Sequence, residues 1–253
     1  MTHQTDAYQG LIAETVSVAG DGGDFIHAYY ARPTGPGPFP GVVLFHHRPG
    51  WDDWYRHATR IFAHHGFAAI SPDLYCRHGH GEPDDVAARV NAQGGVPDDQ
   101  VVGDGTGCVE FLRAQQVTTG KVALFGSCSG ARHAFLSACR GAPVDAVVDC
   151  WGGRIVAEED ELTPGQPVAP VDYTADLPGP ILGLFGNEDH NPTRDHVDAL
   201  EAALQKHGKT YEFHRYDGAG HGFLYHDRPS AYRADAALDG WAKIWDFLDR
   251  TLL

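Results

Sequence analysis

Lys121-Val122-Ala123-Leu124-Phe125-Gly126-Ser127-Cys128-Ser129-Gly130 holds a short apolar run, Val122 to Phe125, that stops on Gly-x-Cys-x-Gly, and Cys128 to Arg140 reads as helix. Read physically, it is a buried strand, a sharp turn and a helix. The residues two before and two after Cys128 are glycines, as close approach of a strand and a helix at such a turn requires. The turn also sets Cys128 at a helix N-terminus, where the helix dipole favours a thiolate. On its own the pattern is a weak signal, because glycines flank small residues by chance.

Outward from this stretch the chain alternates between strand and helix. Leu11–Val18 and Phe25–Ala31 read as two strands joined by Gly20-Asp21-Gly22-Gly23. Gly41–Phe45 is an unbroken apolar run, the mark of a strand covered on both faces. A helix is predicted over Asp53–His65, a strand over Phe67–Ser71, a short helix near Asp84–Ala92 and a longer one from Pro97 to Gln115. Strands follow at Val144–Cys150, Ile181–Phe185 and Tyr211–Tyr216, with helices at Thr193–His207 and Tyr232–Leu253. The Pro- and acid-rich stretch from Arg154 to Pro180 reads as an excursion too short for a second domain. The alternation predicts an α/β fold, a mostly parallel sheet with helices on both faces, in one domain over residues 1–253.

Composition narrows the function. The 253 residues are 42% hydrophobic and 21% charged, as in an ordinary soluble globular protein. A net charge of −15 argues against a nucleic-acid partner. No run reaches 18 apolar residues, so no membrane span is expected, and Met1–Thr15 lacks the basic-then-apolar order of a secretory signal. Five cysteines without a Cys-x-x-Cys pair fit a reducing cytoplasm. The 16 histidines include His46-His47, His64-His65 and His78-Gly79-His80, but no His-Glu-x-x-His, and no second ligand shares the helix face of His57. Neither metal nor cofactor is expected.

In an open parallel sheet, ligands bind beyond the carboxyl ends of the strands. The segments to weigh are therefore 46–51, 73–77, 126–130, 150–153, 186–190 and 218–223. Three of them carry reactive groups: Cys128; Asp189, closing Gly186-Asn187-Glu188-Asp189; and His221, in Gly218-Ala219-Gly220-His221-Gly222-Phe223. Asp189 alone also reads as a helix cap, and His221 alone as a turn residue. Together, the order nucleophile, acid, histidine is that of α/β-hydrolases.

At this point the chain resembles the dienelactone hydrolase family over nearly its whole length. The resemblance rests on the Gly-x-Cys-x-Gly turn, the Gly-x-x-Asp acid, the histidine loop, and Ser71-Pro72-Asp73-Leu74-Tyr75-Cys76-Arg77, which is similar to the family's Pro-Asp-Leu-Tyr-x-Arg. It implies an α/β-hydrolase fold without a large cap and hydrolysis of a small ester or lactone. It also implies Cys128 as nucleophile, Asp189 and His221 as its partners, and an oxyanion site made by the backbone N–H groups of Ser129 and Arg48. Substrate contacts are expected from His47, Trp51, Arg77, Trp151, Phe223 and Tyr225. If several of these aromatics line the pocket, the substrate is the more apolar or aromatic.

Two positions depart from the family. His47 stands where the family has a Glu that contacts the resting thiol, and an imidazole beside a thiolate would stabilise it. The alternative for His47 is packing on Trp51 or Trp54. Tyr225 stands where the family has the second of two carboxylate-binding arginines, leaving Arg77 as the match to the first. Three other functions remain open to the sequence: a cyclase or isomerase using the same three residues, a silent ligand-binding relative, and a metal-dependent lactonase.

Overall fold

The structure, a computed structural model, describes residues 10–253, so most of the N-terminal stretch read for a secretory signal lies outside the described residues. The eight strands are β1 (Leu11–Ala19), β2 (Phe25–Pro33), β3 (Phe39–Phe45), β4 (Ala68–Pro72), β5 (Thr118–Ser127), β6 (Ala146–Cys150), β7 (Ile181–Gly186) and β8 (Tyr211–Tyr216). They form one sheet in the order β1-β2-β4-β3-β5-β6-β7-β8. β2 runs antiparallel to both β1 and β4, and every other pairing is parallel.

The α-helices among the described residues are α1 (Asp53–His64), α2 (Pro83–Ala92), α3 (Asp98–Ala114), α4 (Ser129–Cys139), α5 (Arg194–Lys206) and α6 (Ala234–Leu252). On one face Phe62 of α1 and Ile244, Phe247 and Leu248 of α6 pack on Leu44, Phe125 and Leu182. On the other, Val101, Cys108, Val109 and Leu112 of α3, Phe135 of α4 and Leu200 of α5 pack on Val43, Leu124 and Val147. Such apolar side chains each contribute roughly 1.5–3 kcal/mol when fully buried. Central strands sandwiched this way must be apolar on both sides, which is why β3 carries no alternation.

The strand order positions the site. β3 sits between β4 and β5, so the chain leaves β3 on one face of the sheet and reaches β5 from the other. The loops after β3 and β5 diverge there and open a crevice. The histidines noted as possible ligands are largely structural: His65 stacks on Trp245 at 3.9 Å between ring centroids, and His78 pairs with Gln93. Among the described residues no group of three or more His, Cys, Asp or Glu is placed to hold a metal ion. No helix among them is long and apolar enough to cross a membrane.

Candidate active site

Cys128 occupies the turn between β5 and α4 with φ 57° and ψ −127°, a left-handed conformation that costs a residue with a side chain about 1–3 kcal/mol. The flanking glycines explain how it is held. A Cβ on Gly126 would lie 2.1 Å from the Gly130 carbonyl oxygen, and one on Gly130 would lie 2.0 Å from that of Phe45. Only hydrogens fit where strand, turn and helix meet.

Three donors converge on the thiol: the ring of His221 and the backbone N–H groups of Ser129 and Arg48. Burial opposes ionisation of Cys128, but hydrogen bonding to His221, its charge and the two N–H groups outweigh it, and the thiol ionises below its ordinary value of 9.0. His221 shows the reciprocal effect. Its burial disfavours charge, yet Asp189 and Cys128 raise its pKa to about 10. The two groups thus favour each other's charged forms, thiolate and imidazolium.

Asp189 Oδ2 accepts from His221 Nδ1 at 2.9 Å, and its Oδ1 accepts from the Asn191 N–H at 2.9 Å. The Asp189 carboxylate is buried, whereas the neighbouring Glu188 is exposed, so the acid that holds the imidazole is the one closing the Gly-x-x-Asp turn. The His221 side chain stands at the rim, 39% exposed.

The loop after β3 presents Arg48 N–H through fixed contacts. His46 Nε2 accepts from the Leu74 N–H at 3.2 Å, so its proton is on Nδ1, which donates to the His47 carbonyl at 2.9 Å. Gly50 N–H donates to the same carbonyl at 3.0 Å. Tyr75, from the Pro-Asp-Leu-Tyr-x-Arg segment, donates its hydroxyl to the Arg48 carbonyl at 2.9 Å.

A cavity of about 760 Å³ opens above Cys128. Its lining includes the polar side chains of Arg48, Arg132, Arg154, Asn91, Gln166 and Glu161 beside apolar surface. Arg132 is committed to Asp98 through two bonds, of 2.6 and 3.2 Å, and Arg48 Nε donates to Asn91 Oδ1 at 2.9 Å. Arg154 sits at φ 61°; among the described residues it forms no ion pair, and its buried Nε, unlike that of Arg48, has no hydrogen-bond partner. Burial first, then the charges of Arg132 and Arg48, lower its pKa. Sequence reading stopped one residue short of it, at Gly153. The signal was its place just beyond the strand-end segment 150–153.

Of the side chains expected against substrate, none of the six lines this cavity. Trp151, Phe223 and Tyr225 are buried beneath it, each ring packed on another. Trp51 donates its indole N–H to the Ser71 carbonyl and borders a smaller cavity of about 280 Å³. Arg77 points away and pairs with Asp24 and Asp104. The condition for a more apolar substrate, that several of these aromatics line the pocket, is not met: Trp151, Phe223 and Tyr225 support the floor from below. His47 does not join the groups around the thiol. It is buried, stacks on Trp54 at 6.2 Å and bonds to Asp52 and Tyr225, and burial holds it below its ordinary pKa despite Asp52.

The comparisons with known proteins bear on the family and the fold. A Methylorubrum extorquens protein that carries the provisional name carboxymethylenebutenolidase is 36% identical, with 97% of this chain and 83% of that protein covered. An Escherichia coli K12 protein of the same provisional name is 33% identical over 89% of this chain and 82% of its own length. The crystal structure of a provisionally named dienelactone hydrolase from Klebsiella pneumoniae superposes with a TM-score of 0.84 at 29% identity, covering 94% of this chain and 98% of that one. The model of the Dienelactone hydrolase family matches residues 26–252, and the chain belongs to that family of ester and lactone hydrolases.

Proposed function

We propose that the protein hydrolyses its ester or lactone through an acyl-enzyme on Cys128, with His221 as proton carrier and Asp189 as the group that orients it. The observation that carries this reading is the meeting of His221, Ser129 N–H and Arg48 N–H at one sulfur. The thiolate attacks the carbonyl carbon, and the electron pair moves to the carbonyl oxygen. The two N–H groups that face the resting thiolate then bind that oxyanion. Imidazolium His221 gives its proton to the departing alkoxide, and the thioester remains. His221, now neutral, takes a proton from water as the water attacks. The second oxyanion collapses and expels the thiolate, the carboxylic acid leaves, and the thiolate–imidazolium pair is restored. Asp189 stays ionised throughout and holds Nδ1–H, so that Nε2 serves the reaction.

The cavity wall adds a substrate class. An unpaired guanidinium in a partly desolvated wall seeks a carboxylate, which its planar fork binds through two charge-assisted bonds. Arg154 is that cation, so the substrate is an ester or lactone bearing a free carboxylate. In the test of the acyl-enzyme, a chromogenic activated ester releases a burst of product equal to the enzyme concentration, and Cys128→Ala shows none. Steady hydrolysis by Cys128→Ala at a comparable rate would refute the reading.

A further inference from the structure

We propose that Tyr225 and His47 are positioning residues for the oxyanion site, acting through one continuous hydrogen-bond chain that sets the spacing between its two backbone donors. The proposal rests on the reading of Cys128 as nucleophile.

The chain is largely buried, and one assignment of its protons gives every member a partner. Ser127 N–H donates to the Tyr55 oxygen at 3.2 Å, and the acceptor in reach of Tyr55's own proton, among the described residues, is Ser127 Oγ at 2.6 Å. Ser127 therefore passes its proton to Tyr225 at 2.7 Å, and Tyr225 donates to His47 Nδ1 at 2.9 Å. That acceptance places the His47 proton on Nε2, which donates to Asp52 Oδ2 at 2.6 Å. Each hydroxyl donates once, and the chain ends on a carboxylate. A neutral imidazole, one acceptor and one donor on opposite sides, fits the fourth place. A carboxylate there would have no proton for Asp52.

The ends of the chain explain its purpose. His47 directly precedes Arg48, and Ser127 lies two residues before Ser129, so the chain links the segments that carry the two oxyanion donors. Asp52 fixes the far end, because its Oδ1 also caps α1 by accepting from Tyr55 N–H at 3.2 Å. His46 and Gly50 N–H hold the His47 carbonyl, and in a planar trans peptide the following N–H points the opposite way. That N–H is Arg48's, aimed at the sulfur. With the chain intact, the donors are fixed before substrate arrives. With it cut, the loop loses the side-chain tie to the turn that runs through Ser127 and Tyr225, and the spacing is set less sharply.

The experiment compares Tyr225→Phe, His47→Leu and His47→Gln with the parent on a chromogenic ester, and measures inhibition by a trifluoromethyl ketone, whose adduct places an oxyanion between the donors. Loss of a whole donor costs about 10²–10³ in kcat, so a displaced one is expected to cost about tenfold to a hundredfold. Tyr225→Phe should lower kcat by that factor and weaken the ketone in parallel, with KM within about threefold. Glutamine, which accepts on oxygen and donates on nitrogen, should recover most of what His47→Leu loses. Unchanged kcat in Tyr225→Phe, a loss confined to KM, or glutamine no better than leucine would overturn the proposal. Cys128→Ala is assayed alongside: if it still hydrolyses the ester, the nucleophile itself is misassigned and the positioning role falls with it.

Discussion

Arg77 grips Asp104 with both terminal nitrogens, at 2.9 and 3.0 Å, and reaches Asp24 with Nε at 2.9 Å. The Asp104 side chain has no exposure to solvent, and it also accepts from the Asp21 N–H. The arginine that the family resemblance sends to the substrate is instead a strut between the β1–β2 turn, the segment after β4, and α3.

Arg77→Met is therefore expected to act on stability. Removing one partner leaves a buried carboxylate uncompensated, which costs about 3–5 kcal/mol for fully buried pairs and less here, where Arg77 is 23% exposed. Thermal unfolding should shift down by several degrees. The preference between a carboxylated and a neutral ester should not move. A change in that preference without loss of stability would return Arg77 to the substrate.

Arg154 carries the opposite expectation. For Arg154→Met, the ratio of kcat/KM on a 4-nitrophenyl hemisuccinate to that on the neutral butyrate should fall about tenfold to a hundredfold, the worth of one charge-assisted pair. Arg154→Lys should fall between. Glu161→Gln should hold or raise the ratio, since Glu161 supports the charge of Arg154 without pairing with it in the cavity wall. A ratio unchanged in Arg154→Met would remove the carboxylate from the proposed substrate class.

The thiolate–imidazolium pair predicts a pH profile. Cys128 ionises below 9.0 and His221 holds its proton up to about 10. Iodoacetamide should thus alkylate Cys128 well below the pH at which ordinary thiols react. His221→Ala removes the main group favouring the thiolate and leaves burial opposing it, so the midpoint should move upward. A midpoint that stays in place would show that His221 does not charge the sulfur.

The turn glycines supply a contrast in stability. Gly130→Ala puts a methyl 2.0 Å from the Phe45 carbonyl oxygen and should cost at least about 4 kcal/mol, at the top of the range for single substitutions. Gly208→Ala, at φ 61° with nothing within 4 Å, meets only the left-handed penalty of about 1–2 kcal/mol. Urea midpoints would read both.

The sequence announced the strands, their ends and the groups standing on them, because periodicity and glycine spacing are local. Cys128, Asp189 and His221 stand at strand ends and meet in the structure; Ser129 and Arg48, which the family resemblance implies as oxyanion donors, turn their N–H groups to the same sulfur. The cavity wall was less legible. Whether Trp151 or Tyr225 faces a pocket or a core depends on which helix packs over it, and no local pattern reports that. Thr163 and Gln166 come from the Pro- and acid-rich excursion, which has no period to read, yet it folds over the site and lines it. His47 was misplaced for a similar reason: its partners, Asp52 and Tyr225, include one 178 residues away.

The exposed rim position of His221 has a consequence for the fate of the acyl group. A base open to solvent activates whichever small hydroxyl compound diffuses to it, and nothing in its 39% exposure favours water over an alcohol. On the proposed mechanism the thioester is then a branch point, with flux divided by the relative concentrations of competing acceptors. In aqueous methanol the released chromophore should exceed the free acid formed, the difference appearing as methyl ester. In dilute cytosol-like buffer the same open geometry makes the protein a hydrolase by abundance of water, with transfer chemistry latent in it.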